Sequence, residues 1–411
     1  MTVLLPVGRA RDIAASASAL APVRRPLASS IGCVLAQPLT AQQSIPHTAN
    51  SAMDGWAVTA GRQHGWRLRP DGAHRPETLL AGLEAGEAVA VVTGSPVPEG
   101  TYSVLRSEHG RVEHEHAPAG PVLHADPATP DLESGRNIRP EAAEATAGDL
   151  LCEPGKLLTP AWAAAAAVAG YDDLLVIPHP RVRLLLTGGE VKTSGVPARG
   201  EVRDVFGLAL PSMVATMGGE VEDAHRLGDD AAALAGLMEE SSAEVIITTG
   251  GTAHSRADVL RPALKRLGAE ILVGSVDMRP GHPALLARTS SSYVIGLPGN
   301  PLAGFAALAV LAEPLLRALR GIVPAVSSRS LSAGSALPGA RRGVRLLPVK
   351  IRGGEVHGLD HTRAHMMRGL ADADAFAVVP AAGASAGDPV ECLAAPGGSA
   401  RIGALAGWGV Q

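Results

Sequence analysis

From Arg181 onward the chain alternates apolar, β-branched runs with longer helix-like stretches, and this alternation restricts the fold more than any other feature. The runs at Arg181–Thr187, residues 243–249 and Tyr293–Leu297 are interleaved with stretches of helical character at 205–217, 257–267 and 302–319. Such order implies right-handed crossovers and a parallel sheet covered by helices. All three strands run into glycine: Thr187-Gly188-Gly189-Glu190, Thr248-Thr249-Gly250-Gly251 and Leu297-Pro298-Gly299-Asn300-Pro301. In an open parallel sheet the carboxyl ends of the strands line the ligand crevice, glycines let a ligand approach the backbone, and helix N-termini favour anions. One Gly-Gly alone reads as a tight turn. Three on successive strands point to a phosphate- or oxyanion-bearing ligand.

Four carboxylates, Glu190, Asp204, Asp229 and Asp258, fall near these loops. Acidic groups beside an anion site imply a divalent cation between them and the ligand, because they would otherwise repel it. Asp204 and Asp229 each precede a helix-like stretch, so each reads equally well as a helix cap.

The rest of the chain is β-rich. Residues 10–21 read as a helix leading into an extended segment that reaches residue 46. Short strands at 55–58, 66–69, 87–93, 104–105 and 111–116 are separated by glycine and proline, and three more follow at 344–351, 375–379 and 389–393. The expected division is a discontinuous segment of residues 1–46 and 137–175, a small β domain 47–136, an α/β domain 176–322 and a terminal β module 323–411. With 46% hydrophobic residues the 411-residue chain has ample core, and 36 basic against 40 acidic residues argue against general nucleic-acid binding. Cys33, Cys152 and Cys392 form no paired motif, which fits a reducing cytoplasm without a structural zinc site or disulfide framework. No run reaches the roughly 20 uninterrupted apolar residues that span a bilayer, and the nearest, 305–319, contains Glu313 and Pro314. The histidines at 109, 114, 116 and 124 read as a solvated hairpin face and not as a metal site.

Four segments carry a family resemblance: Asn50-Ser51-Ala52-Met53-Asp54-Gly55-Trp56-Ala57-Val58, Thr93-Gly94-Ser95-Pro96-Val97-Pro98-Glu99-Gly100, Thr248-Thr249-Gly250-Gly251 and Leu297-Pro298-Gly299-Asn300-Pro301. In order and spacing the chain resembles the molybdopterin molybdenumtransferases from about residue 7 to 400. The resemblance implies an elongated, multidomain α/β plus β homodimer with a discontinuous linker domain, a small β domain, a parallel-sheet molybdopterin-binding domain and a C-terminal β-barrel. It implies insertion of molybdenum from molybdate into adenylylated molybdopterin, release of AMP, and use of Mg²⁺. By the same likeness Asp54, Glu190, Asp229 and Asp258 are the expected catalytic residues, the last three also as metal ligands. Ser51, Thr93, Thr187, Gly188, Gly250, Gly251, Arg279, His282, Pro298, Gly299, Asn300 and Pro301 are the expected ligand-binding residues. Other cofactor-synthesis proteins and apo-molybdoenzymes are the macromolecular partners it suggests.

The departures from the family pattern concentrate in the loops. Gly189 stands where the family has Asp, Asp204-Val205-Phe206 replaces Asp-Ser-Asn, and the lysine-bearing segment reads Arg279-Pro280-Gly281-His282-Pro283 with Ser275 in place of a further lysine. Lysine occurs only at 156, 192, 265 and 350 in the whole chain. Arginine at 279 keeps a cation, but serine carries no charge and histidine is largely neutral near pH 7, so the oxyanion subsites are expected to be less positive than usual. The alternative reading is therefore a non-catalytic or weakly active paralogue that binds molybdopterin or molybdate as a carrier or regulator.

Overall fold

Apolar side chains at successive positions of the short strands of the first half, such as Ala57-Val58, Ala88-Val89 and Val104-Leu105, demand a sheet with both faces covered. The computed structural model describes residues 4–61, 65–69, 82–114, 120–250, 259–323 and 328–396. They fall into two compact units, one of Arg25–Ile31 and Gln37–Leu174, the other of Met1–Arg24, Gly32–Ala36 and Leu175–Gln411.

In the first unit, strands β1 (Gly55–Val58), β2 (Trp66–Leu68), β3 (Glu87–Val91), β4 (Ser103–Arg106), β5 (Gly110–Glu113) and β6 (Val122–Ala125) form one sheet in the order β4-β1-β3-β2-β6-β5. Only β2 and β3 run parallel. Ala57, Val89, Val91 and Val104 pack on one side, and Val58, Trp66, Ala88, Leu105 and Leu123 on the other, as the two-residue side-chain period of a strand requires. Buried Trp66 places its indole N–H on Thr59 O at 2.9 Å, which satisfies its one polar atom. In the same unit Leu39–Thr40 pairs with Leu150–Cys152, Ile45 N donates to Ala145 O at 2.7 Å, and the helix Pro160–Val168 starts on Thr159, whose hydroxyl accepts from Trp162 N.

The second unit opens with helix α1 (Val7–Ala15), earlier and shorter than the sequence suggests. Its sheet comprises β7 (Arg181–Thr187), β8 (Glu220–Leu227), β9 (Val245–Thr249), β10 (Glu270–Val273), β11 (Leu285–Arg288) and β12 (Tyr293–Leu297), ordered β8-β7-β9-β12-β11-β10. The first four are parallel; β11 alone is reversed, pairing antiparallel with both β12 and β10, and neither β11 nor β10 was revealed by the alternation. Helices α2 (Phe206–Thr216) and α5 (Pro301–Leu319) join α1 over one face; α3 (Ala231–Glu239) and α4 (Leu260–Arg266) cover the other. On β7, Leu184 and Leu186 enter the first core and Leu185 the second. β8 is missed in the sequence because it is an edge strand with no fully buried side chain. Ion pairs hold it instead: Arg183 to Asp223 at 2.8 Å and Arg181 to Glu222 at 3.0 Å.

α5 runs unbroken through Glu313 and Pro314, within a residue of the 302–319 bounds read from the sequence. Among the described residues it alone is long and apolar enough to cross a membrane, but 89% of that stretch is buried inside this unit. Pro314 has no N–H for the carbonyl four residues back, and the preceding segment, Leu308–Ala312, adopts a π-helical turn. Buried Arg11 of α1 donates to Ala309 O within that turn at 3.0 Å.

Strands β13 (Arg329–Ala333), β14 (Val344–Arg352), β15 (Glu355–Gly358), β16 (Ala375–Val379) and β17 (Pro389–Ala394) close into a barrel through β14-β15-β13-β17-β16 and back to β14. Leu347, Val349, Val356, Ala377 and Val390 fill it, and Leu346, Phe376 and Leu393 face outward into the α/β core. Closure leaves little open edge. The fold is thus α/β plus β with a C-terminal β-barrel. All three cysteines are free and buried.

Candidate functional site

β7, β9 and β12 end side by side, Leu186 opposite Thr249 and Thr249 opposite Leu297. Their loops open on a cavity of about 710 Å³ within the second unit. The loops are tied together near their roots. The Thr187 hydroxyl donates to Thr249 O, and Gly250 N donates to Leu297 O at 2.9 Å. Gly250 has φ +76°, and a Cβ there would lie 2.8 Å from Thr187 Oγ1, so both conformation and space require glycine. A Cβ on Gly299 would meet Gly250 Cα at 3.7 Å, which puts the two glycine turns in contact. Asn300 is the N-cap of α5 without capping through its side chain, and Pro301 takes the first helical position, where its missing N–H costs nothing.

Another wall comes from the segment between β7 and α2. Val191–Lys192 pairs in parallel with Val202–Arg203, and Lys192 Nζ lies 3.0 Å from Glu201. Glu190, Arg203 and Asp204 reach the cavity. Asp204 is a cap, since its Oδ1 accepts from Gly207 N at 2.9 Å while Oδ2 pairs with Arg226. The cap of α3 is Asp230, accepting from Ala232 N at 2.8 Å and Ala233 N at 3.2 Å. Its neighbour Asp229 is thereby released to the cavity wall.

Of the residues expected from the sequence, Thr187, Gly188, Glu190, Asp229, Gly250, Pro298, Gly299, Asn300 and Pro301 line this one cavity. Gly251 and Asp258 lie outside the described residues, as does His116. Arg279 and His282 are absent from the lining, which the 279–283 segment reaches through Pro283. Arg279 Nη1 donates to Met278 O at 2.8 Å. Burial, followed by the nearby Arg279 charge, holds His282 below the usual imidazole range, so it is neutral at pH 7. Ser275 is buried, with its carbonyl accepting from Leu5 N at 3.1 Å.

Ser51, Asp54 and Thr93 come together in the first unit. Asp54 Oδ1 accepts from Thr93 N at 2.6 Å and Thr93 Oγ1 at 2.8 Å, and these two bonds hold its carboxyl below the ordinary range. Ser51 is buried and donates to Met53 O at 2.5 Å, fixing the turn that presents Asp54. His124 Nε2 lies 3.2 Å from Glu113 Oε2 on the exposed hairpin.

Sequence reasoning missed Arg203, Arg226, His365 and Met367 on the wall. Arg203 adjoins Asp204 and carried that much signal. Arg226 lies on the unassigned edge strand, and His365 and Met367 lie between β15 and β16, in a segment given no site role from the sequence. Met367 touches the α/β core as well as the cavity.

Among the described residues no three His, Cys, Asp or Glu side chains converge as a ready metal centre. Glu190 and Asp229 nonetheless suit Mg²⁺, which takes oxygen ligands and is commonly held by one or two carboxylates plus substrate phosphates. Bound there, the ion would neutralise developing negative charge on a phosphate linkage.

Residues 5–170 match the family of the MoeA N-terminal region (domain I and II), and residues 183–318 match the probable molybdopterin binding domain. The chain is 29% identical over 390 residues to molybdopterin molybdenumtransferase 2 of Mycobacterium tuberculosis, covering 90% of this chain and 94% of that protein. It is 31% identical over 324 residues to the molybdopterin molybdenumtransferase of Synechococcus elongatus, covering 74% and 77%. Its fold matches the molybdopterin biosynthesis MoeA protein of Pyrococcus horikosii with a TM-score of 0.71 over 95% of this chain and 99% of that one, at 23% identity. With two domain matches in order, curated relatives at this identity and coverage, and a shared fold, the chain belongs to the molybdopterin molybdenumtransferase family.

Proposed function

We propose that the chain acts in molybdenum-cofactor biosynthesis, inserting molybdenum from molybdate into adenylylated molybdopterin with release of AMP. One observation carries this reading: three glycine loops and two carboxylates, Glu190 and Asp229, unpaired among the described residues, share a single cavity at the carboxyl ends of parallel strands. Backbone amides of Gly188 and Gly299 would bind phosphate oxygens, and Glu190 and Asp229 would hold Mg²⁺ against the phosphate linkage. Asp258 completes the carboxylate set on the strength of the family resemblance alone. In the proposed homodimer, Asp54 and Thr93 of one copy complete the cavity of the other, so a monomer would be inactive. The proposed setting is the cytoplasm, with cofactor-synthesis proteins and apo-molybdoenzymes as partners.

A second reading is a carrier without efficient turnover. It is favoured by the neutral His282 outside the cavity lining and by the neutralisation of Arg226 through Asp204. Incubation of purified protein with adenylylated molybdopterin, molybdate and Mg²⁺ separates the two. The transferase yields AMP and a cofactor that activates an apo-molybdoenzyme, whereas tight binding without AMP supports the carrier.

A further inference from the structure

Among the described residues, four guanidinium or ammonium groups belong to the cavity wall or to the segments that form it, and three are engaged. Lys192 is paired with Glu201, Arg226 with Asp204, and Arg279 donates to a main-chain carbonyl. Arg203 is exposed, lines the wall, and makes no side-chain hydrogen bond or ion pair among the described residues. Its backbone is anchored all the same. Arg203 sits opposite Lys192 in a parallel pair, Val202 N donates to Glu190 O at 3.0 Å, Asp204 N donates to Lys192 O at 2.9 Å, and Asp204 caps α2.

The charge balance gives this group its significance. Glu190 and Asp229 are exposed carboxylates on the same wall, and the Asp204–Arg226 pair cancels itself. An arriving anion therefore meets Arg203 as the one unpaired guanidinium or ammonium group on the described wall. An arginine fork engages two oxygens of a tetrahedral anion at once, which neither serine at 275 nor a neutral histidine at 282 does. We infer that Arg203 binds the tetrahedral oxyanion of the ligand, the phosphoryl group of an adenylylated substrate or molybdate itself, and sets the cavity's selectivity for it. The inference rests on reading the cavity as the transferase site, and it relocates the cation missing from the 275–283 segment to the loop before α2.

The test is isothermal titration of the full chain with sodium molybdate and, separately, with AMP, each at low and physiological salt. Arg203→Ala is expected to weaken at least one of the two anions ten-fold or more, Arg203→Lys to recover part of the loss, and Lys192→Ala to bind like the parent. Whichever anion responds identifies the source of the oxyanion. Should the alanine variant fold poorly, Arg203→Gln gives the same contrast with an uncharged side chain of similar reach. Equal affinity of parent and Arg203→Ala or Arg203→Gln for both anions, an equal loss in Lys192→Ala, or a parent that binds neither anion overturns the inference. A parent that binds through Arg203 yet releases no AMP from adenylylated molybdopterin sinks the transferase reading and leaves the inference standing. Turnover and anion affinity that survive Arg203→Ala unchanged do the reverse.

Discussion

Asp131 is the most stringent place to test the reasoning about buried charge. Its side chain is fully buried in the first unit, and its carboxylate accepts from Arg106 N at 3.1 Å, from Arg106 Nε at 3.1 Å and from His109 Nδ1 at 2.8 Å. Replacement by Asn keeps one carbonyl acceptor and turns an N–H₂ group toward donors. Hydrogen bonds to charged groups contribute about 1.5–3 kcal/mol each, and breaking a buried pair costs about 3–5 kcal/mol. Because Arg106 keeps Glu108 at 3.3 Å, the lower end applies, and Asp131→Asn is expected to cost about 3 kcal/mol. Urea unfolding followed by tryptophan fluorescence reports it, since Trp66 is buried in the same sheet. Although burial opposes ionisation, the bonds from Arg106 lead the groups that hold the Asp131 carboxyl well below the usual range. Its contribution is therefore fully present above the unfolded pKa near about 3.9 and is lost as pH falls toward the folded value. The gap between parent and variant should be full at pH 7 and shrink below about pH 4. A loss under about 1 kcal/mol at pH 7, or a gap as wide in acid as at neutrality, would refute the argument. The change also reaches the turn that presents Asp54, because Ser107 N, next to Arg106, donates to Asp54 O at 3.0 Å.

Gly250→Ala is expected to destabilise the second unit by about 2–4 kcal/mol, from the left-handed backbone and from overpacking against Thr187 Oγ1. In thermal denaturation, combining it with Thr187→Ala should cost less than the sum of the single changes, and strict additivity would show that the two loops do not press on each other. Thr93→Val removes one of the two Thr93 bonds to Asp54. The Asp54 carboxyl should then titrate closer to an ordinary aspartate in a carbon-detected NMR titration, and an unmoved titration would mean that the hydroxyl does not set its acidity.

Strands buried on both sides and ending in glycine were the most legible part of the fold. Arg181–Thr187 and Tyr293–Leu297 have the bounds read from the sequence, because apolar runs of that length satisfy a parallel strand and little else. Glu220–Leu227 was opaque for the opposite reason: its stability comes from arginines on β7 rather than from its own apolar pattern. Leu285–Arg288 is joined to Tyr293–Leu297 with no helix between them, and Glu270–Val273 is short and buries only Val273, so neither announces itself as a buried strand in the alternation. Within the site, the glycine turns and the Glu190 and Asp229 carboxylates were readable as residue types at strand ends. The assignment of caps was not, because Asp229 and Asp230 are adjacent and only the bonds to Ala232 and Ala233 tell them apart. Arg203, Arg226 and His365 reach the wall through tertiary packing of a loop, an edge strand and the segment before β16, which no local spacing encodes.

The most direct test of the account is a single-turnover measurement of AMP release from adenylylated molybdopterin by the purified full chain with molybdate and Mg²⁺, comparing the parent with Asp229→Asn. The account expects AMP to appear in step with molybdenum-loaded cofactor in the parent and not in the variant, with both proteins equally folded. Tight binding of the adenylylated pterin by the parent without AMP, or undiminished release by Asp229→Asn, would contradict it.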